Sequence, residues 1–336
     1  MTIREQSEAM EHRLLSPYAC KADQTAGRDF PLEKCPLRTE FQRDRDRVIH
    51  CKAFRRLMHK TQVFLSPRGD HYRTRLTHSL EVSQIARTMA RALRLNEDLT
   101  EAVALGHDLG HAPFGHAGEQ ALNEATPFGF AHFAHSVRVV ERLERDGAGL
   151  NLTREVRNGI LCHTRGRWAD TLEGRVVRYA DKFAYLNHDI EDAVRAEVLT
   201  EGDLPWKVRY LLGRNNSQRI STLIDGVVRA SSQRDGAEIL LDPALQEAYQ
   251  ELLDFMNEAV YTNPAAKGEE AKAREMLRRL YGYFSQHPRQ MPEEYGRIVR
   301  EEGPERAACD YIAGMSDRYA VEIYGELFIP KSWGVL

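Results

Sequence analysis

Apolar positions recur at helical spacing along most of this chain, and no alternation of strands with helices is visible. Leu80, Ile85, Met89 and Leu93 form an apolar stripe that predicts a helix capped by Thr77. A second helix is expected over 98–108, stopped by Gly110 and Pro113. Further helical stretches are predicted near 132–145, 153–163, 173–199, 217–232, 242–261, 265–286 and 304–327. Upstream, Phe41, Val48, Ala53, Phe54, Leu57 and Met58 recur near the same spacing through a heavily charged segment. Residues 1–38 carry Pro17, Gly27, Pro31 and Pro36 with little periodicity, and read as an irregular N-terminal arm. One β-prone piece interrupts the pattern over 62–74. There Val63-Phe64-Leu65 and His71-Tyr72-Arg73 flank Ser66-Pro67-Arg68-Gly69-Asp70, the punctuation of a small β-hairpin. The fold class is all-α.

Motif-like residues thin out beyond a soft boundary near 200–205. A core over 39–200 is therefore expected, with a C-terminal helical region over 201–336 packed on it. The hydrophobic share of 42% and charged share of 29% suit a chain with a buried core. A net charge of -3 excludes the global basic field that a nucleic-acid backbone or an anionic membrane would call for. No apolar run approaches a membrane span, and Met1 to Met10 is polar without a signal core, so the cytoplasm is the expected compartment. Cys20, Cys35, Cys51, Cys162 and Cys309 are odd in number and form no C-x-x-C pair, which reads as reduced thiols.

The candidate chemistry is concentrated in Gly106-His107-Asp108-Leu109-Gly110-His111-Ala112-Pro113-Phe114-Gly115-His116. His107, His111 and His116 fall beside Asp108 and Glu119, with His132 and His135 soon after and His78 and Asp181 on flanking predicted helices. Imidazole and carboxylate together suit Mn²⁺, Fe²⁺, Zn²⁺ or Ni²⁺ in hydrolytic sites. Adjacent His107 and Asp108 point about 100° apart on a regular helix. They share an ion only if it sits between helices, with further ligands from at least two other segments. Any one of these histidines alone reads more readily as a surface or core residue.

The spacing His78…His107-Asp108…Asp181 resembles the metal-binding signature of the HD phosphohydrolase superfamily. More narrowly, the chain resembles the deoxynucleoside triphosphate triphosphohydrolases, the bacterial dGTPase-like enzymes related to the vertebrate HD-domain dNTPase. Runs that carry this include Phe54-Arg55-Arg56-Leu57, Lys60-Thr61-Gln62-Val63-Phe64, Arg73-Thr74-Arg75-Leu76-Thr77-His78-Ser79, Ala180-Asp181-Lys182-Phe183-Ala184-Tyr185 and Asp310 through Asp317. The resemblance implies an HD-domain helical fold and hydrolysis of dNTPs at the α-phosphorus to deoxynucleoside and triphosphate. It implies that His78, His107, Asp108 and Asp181 hold a divalent transition metal (Mn, Fe, Ni, Co or Zn), with Mg as a candidate second ion. His116 would protonate the leaving 5′-oxygen, oriented by Glu119, and His111 and His132 would contact the α-phosphate or a second ion. Arg75 and Lys182 match phosphate-binding positions, Tyr185 would pack against the deoxyribose, and Asp189 and Gln62, beside Val63, would bind the sugar. Relatives also imply a homo-oligomer and a dNTP effector.

Other observations bear on this reading. Asp181, Tyr185 and Asp189 recur at i, i+4 and i+8, one helix stripe about 12 Å long. The cluster Arg43, Arg45, Arg47, Arg55, Arg56 and Lys60 fits phosphate contacts and an ion-paired surface equally well. The run His132-Phe133-Ala134-His135-Ser136 departs from the family's commoner His-Asn-x-Gln-Ser. The competing readings are a nucleotidase acting on nucleoside monophosphates and a non-catalytic dNTP-binding regulator.

Overall fold

In the computed structural model, residues 1–61, 73–164, 166–261 and 264–330 are described, the side chains of 264–267 excepted. In chain order the α-helices are α1 (Ile3–Leu14), α2 (Glu40–Ile49), α3 (Lys52–Arg56), α4 (Arg75–Ala92), α5 (Glu97–Gly106), α6 (Gly115–Ala125), α7 (His132–Arg138) and α8 (Arg154–Leu161). They continue with α9 (Leu172–Arg195), α10 (Trp206–Leu211), α11 (Asn216–Ser232), α12 (Pro243–Met256), α13 (Pro264–Gln286), α14 (Gly296–Glu302), α15 (Pro304–Ala313) and α16 (Asp317–Phe328). The expected all-α class holds. Gln62, Val63 and most of the expected hairpin lie outside the described residues. Its flanks, Thr61 and Thr74, form an isolated antiparallel bridge. No described helix is long and apolar enough to cross a membrane.

Side-chain caps set where the helices begin. Thr74 caps α4 in a box with Thr77, so the helix starts at Arg75, before the predicted cap. Arg75 and His78 thereby share one face. The buried stripe of α4 is Val82, Ile85, Ala86 and Met89, whereas Leu80 is 52% exposed and does not belong to it. The N-terminal arm is a correction as well. Residues 3–14 form α1, held by a Thr2–Glu5 capping box and an Arg4–Glu8 ion pair, local polar devices that apolar periodicity does not register. The helix predicted over 304–327 is broken after Ala313, because Ser316 turns its side chain back to cap α16.

Two cores divide the chain differently from its order. The first packs α2, α4, α5, α8 and α9 around Ile85, Leu99, Val103, Ile160, Val177 and Phe183, and α11 and α12 join it through Leu223, Val227, Leu252 and Met256. The second packs α6 with α13, α14, α15 and α16 through Leu122, Leu277, Leu280, Phe284 and Ile312. The segment 107–114, between α5 in one core and α6 in the other, crosses the seam. That crossing positions the site.

Candidate active site

Helix α5 ends at Gly106, two residues earlier than predicted, and His107 to Gly110 turn across the end of α7. The Ser136 hydroxyl donates to the His107 carbonyl at 2.7 Å and accepts the Gly110 N–H at 2.9 Å. A Cβ on Gly110 would stand 2.1 Å from the Ser136 nitrogen, so the close approach requires glycine. The buried Lys60 ammonium donates to the carbonyls of His111 and Ala313, joining the turn to α15. Asp317 accepts from the N–H groups of Thr61 and Phe114, each at 2.9 Å. The turn is thus held from both cores.

Four expected ligands converge here. His78 Nε2 lies 3.1 Å from Asp181 Oδ1 and 4.0 Å from Asp108 Oδ2. His107 Nε2 faces Asp108 Oδ1 at 3.5 Å and Asp181 Oδ1 at 3.6 Å. His107 Nδ1 donates to the Ala104 carbonyl at 2.6 Å, which leaves the lone pair on Nε2. That nitrogen is buried and has no hydrogen-bond partner. An orphaned lone pair set against two carboxylates is the donor arrangement a divalent transition ion satisfies, so the residues fit such a metal. Burial pushes both carboxyls up. For Asp108 the neighbouring His107, His111 and Arg75 outweigh it, and for Asp181 the His78 bond and His107 do so, holding both below the usual carboxylate range.

Beyond the cluster lies a second group of imidazoles. His111 is buried and stacks on His132 with ring centroids 4.1 Å apart. Burial, with Arg75 and His132, pushes His111 well below the usual imidazole range, which keeps it neutral. His132 Nδ1 donates to Glu119 at 2.9 Å, and its backbone N–H does so at 3.0 Å. His116 Nδ1 stands 3.8 Å from the same carboxylate, and its side chain is 59% exposed. Glu119 thus keeps the expected pairing with His116 and holds His132 more closely. Of the two departures from the family pattern, Phe133 packs edge-on to His132, and His135 is buried beside Phe130 and Asp310, away from the cluster.

These groups line one wall of a cleft of about 640 Å³. Arg75, His78, Asp108, His111, His116, His132 and Asp181 line it together with Arg178, Lys182 and Tyr185, the last three on the same helix as Asp181. Arg75 also donates to Asp108 Oδ2 at 2.7 Å. Gln246, Tyr249, Gln250, Leu253 and Asn257 close the far side together with Tyr261. The C-terminal region thus supplies a wall where motif-like residues were expected to thin out.

Asp189 is placed differently from expectation. It is fully buried and absent from the cleft lining, accepting a hydrogen bond from the Tyr261 hydroxyl. Burial raises its carboxyl well above the usual range. Tyr261, stacked on Tyr185 at 6.0 Å, is the group that reaches the cleft. The arginine cluster divides. Arg43 pairs with Glu40, and Arg45 with Asp46, Asp98 and Glu101, whereas Arg47, Arg55 and Lys60 donate to backbone carbonyls.

Sequence reasoning missed His163, which is 1% exposed, 3.3 Å from His132, and grouped with His107 and Asp181. The available signal was a lone histidine closing a predicted helix.

Comparison with known proteins matches residues 75–186 to the HD domain and 239–326 to the phosphohydrolase-associated domain. A deoxyguanosinetriphosphate triphosphohydrolase-like protein of Caldanaerobacter subterraneus subsp. tengcongensis is 54% identical, over 99% of this chain and 98% of that protein. Proteins of the same description from Desulfatibacillum aliphaticivorans and Clostridium tetani are 48% and 44% identical, each over 98% of this chain and over 99% and 97% of their own lengths. A solved chain, a hypothetical protein from Aquifex aeolicus, aligns with a TM-score of 0.49 and 18% identity, over 86% of this chain and 68% of that one.

Proposed function

Since this chain belongs to the deoxyguanosinetriphosphate triphosphohydrolase-like family of HD-domain phosphohydrolases, and is a metal-dependent hydrolase on that ground, we propose that it cleaves deoxynucleoside triphosphates at the α-phosphorus. The products are deoxynucleoside and inorganic triphosphate. One observation carries the reading: the His/Asp cluster and three cationic side chains, Arg75, Arg178 and Lys182, line the same cleft as Tyr185 and Tyr261. A triphosphate requires cations along its length, and a nucleoside requires an aromatic wall.

His78, His107, Asp108 and Asp181 would hold the metal. When bound, the ion supplies Lewis-acid polarisation of the α-phosphate and a water ionised near neutral pH. Arg75 lines the cleft and donates to Asp108, which His107 and His111, with Arg75, hold below the usual carboxylate range, and its guanidinium is the group we assign to phosphate oxygens. His111, neutral and buried, faces the phosphate with its partner His132. His116, exposed at the cleft wall and 6.1 Å from the Tyr185 ring, delivers the proton to the leaving 5′-oxygen. Tyr185 packs on the deoxyribose, where a 2′-hydroxyl would crowd it, and Asp189 acts indirectly by holding Tyr261 in place.

The test incubates metal-loaded protein with each dNTP and each rNTP and resolves the products. Deoxynucleoside with triphosphate is expected. Monophosphate with pyrophosphate would overturn the site of attack. Turnover of monophosphates alone would make the protein a nucleotidase, and no turnover with several metals would make it a dNTP-binding regulator.

A further inference from the structure

Arg56 is the member of the arginine cluster left without a partner. It is the last residue of α3, and among the described residues its guanidinium makes no ion pair and no hydrogen bond, with Nε buried. His135, the second departure from the family pattern, shares that condition. It is 4% exposed and its Nε2 has no partner. Its Nδ1 stands 3.8 Å from Asp310 Oδ1, beyond hydrogen-bond reach. Both side chains line one cavity of about 40 Å³ at the seam of the two cores. Leu109 and Val139 of the first core and Ile298 and Ala313 of the second complete its apolar lining. It shares no lining residue with the catalytic cleft.

The other charged groups of this cavity are engaged elsewhere. Glu144 accepts the N–H groups of Lys52 and Ala53, and Asp310 accepts from Arg138 at 2.6 Å. Asp146 and Glu294 lie 3.8 and 3.7 Å from the exposed Lys52 ammonium. Arg142 and Arg297 both pair with Glu301. Arg56 alone keeps an unanswered charge. Water satisfies N–H groups but brings no countercharge, and enclosed charges are as a rule paired. The field at His135 has the same sign. Burial, with Arg138, Lys60, Arg306 and Arg56, holds its ring well below the usual imidazole range, so it stays neutral with one N–H to give. The space suits about three waters or one small tetrahedral ion, and it is far too small for a nucleoside.

We propose that this cavity binds a free oxyanion of the orthophosphate class, held by the Arg56 guanidinium and the His135 ring. A guanidinium offers two parallel N–H groups to two oxygens, a fork that phosphate fits and a halide does not. The imidazole donates to a third oxygen. Leu109 follows Asp108 in the chain, so the occupant rests against the back of the active-site turn without entering the cleft. The inference depends neither on the metal nor on which nucleotide is cleaved.

The test titrates chelator-stripped protein with orthophosphate by calorimetry, in chloride buffer at constant ionic strength. Wild type should show a saturable site. Arg56→Met should weaken it at least 10-fold and His135→Leu by a smaller factor, with circular dichroism confirming that each variant folds. Lys182→Met, a change in the cleft, should leave that site unaltered. Arsenate soaked into wild-type crystals should give its anomalous signal beside Arg56, a readout that needs no variant. Absence of saturable binding in wild type overturns the proposal. So does binding that survives Arg56→Met in the folded protein, or an anomalous signal confined to the cleft. Tripolyphosphate separates the free ion from a chain terminus: Arg56-dependent binding of the chain without binding of orthophosphate would overturn the assignment to a single small ion.

Discussion

Glu119 accepts the Nδ1 proton of His132 at 2.9 Å, while His116 on the same helix stands 3.8 Å away. One carboxylate thus serves two imidazoles unequally. Glu119→Gln should lower kcat about 10²-fold, the scale of a lost acid–base partner, while the fold persists. His116→Ala should retain metal and lose turnover. Steady-state kinetics with metal content measured alongside checks both, and normal turnover in His116→Ala would remove it as the acid.

His107 and Asp108 should separate on stability although both lose metal. His107→Ala removes a ligand whose Nε2 has no partner within the protein, so activity and bound metal disappear with a modest fall in Tm. Asp108→Asn also removes the charge to which the buried Arg75 guanidinium donates, so its metal-free form should melt below that of His107→Ala. Thermal melts of the metal-free variants read the difference. Equal Tm values would mean that the ion pair contributes nothing.

Gly110→Ala should destabilise the chain by about 3 kcal/mol, because its Cβ would press on backbone that cannot yield. Urea unfolding measures this. Ser136→Ala tests the same seam by orphaning the His107 carbonyl and the Gly110 N–H, at about 2 kcal/mol.

Tyr185→Ala should erode discrimination between dNTPs and rNTPs by about 10-fold or more as the wall against a 2′-hydroxyl is removed. The readout is the ratio of kcat/KM for matched pairs. A ratio unchanged from wild type would place sugar selection elsewhere.

Glu173 supplies a pH dependence. It is fully buried in the first turn of α9 and accepts the N–H groups of Cys20 and Asn96, each at 3.0 Å. Burial raises it from 4.5 to about 7, and these bonds offset only part of that. The folded chain therefore holds a proton that the unfolded chain has lost across that window. Stability should fall as pH rises from 4.5 to about 7, by about 3 kcal/mol in full. Glu173→Gln should flatten the trend. Unfolding curves from about pH 5 to about pH 8 decide it, and parallel slopes for the two proteins would acquit Glu173.

What the sequence determined by itself was local. Helical spacing placed α4, α5, α9 and α12 to within a few residues, since a helix is built from bonds four residues apart and its caps lie beside it. The run from Gly106 to His116 showed where polar chemistry interrupts a helix, and resemblance tied it to His78 and Asp181. Only tertiary structure decided what meets across the cleft. His163 is 31 residues from His132, Tyr261 is 72 from Asp189, and Lys60 is 253 from Ala313. Nothing in the neighbourhood of His163 or Tyr261 marks it for those partners. Asp189 keeps perfect stripe spacing with Tyr185, yet packing of the C-terminal region buries it beneath Tyr261. Periodicity reports which face a helix turns inward. Which side chains it meets there depends on how distant helices bury their apolar faces together, and that is a property of the packed chain.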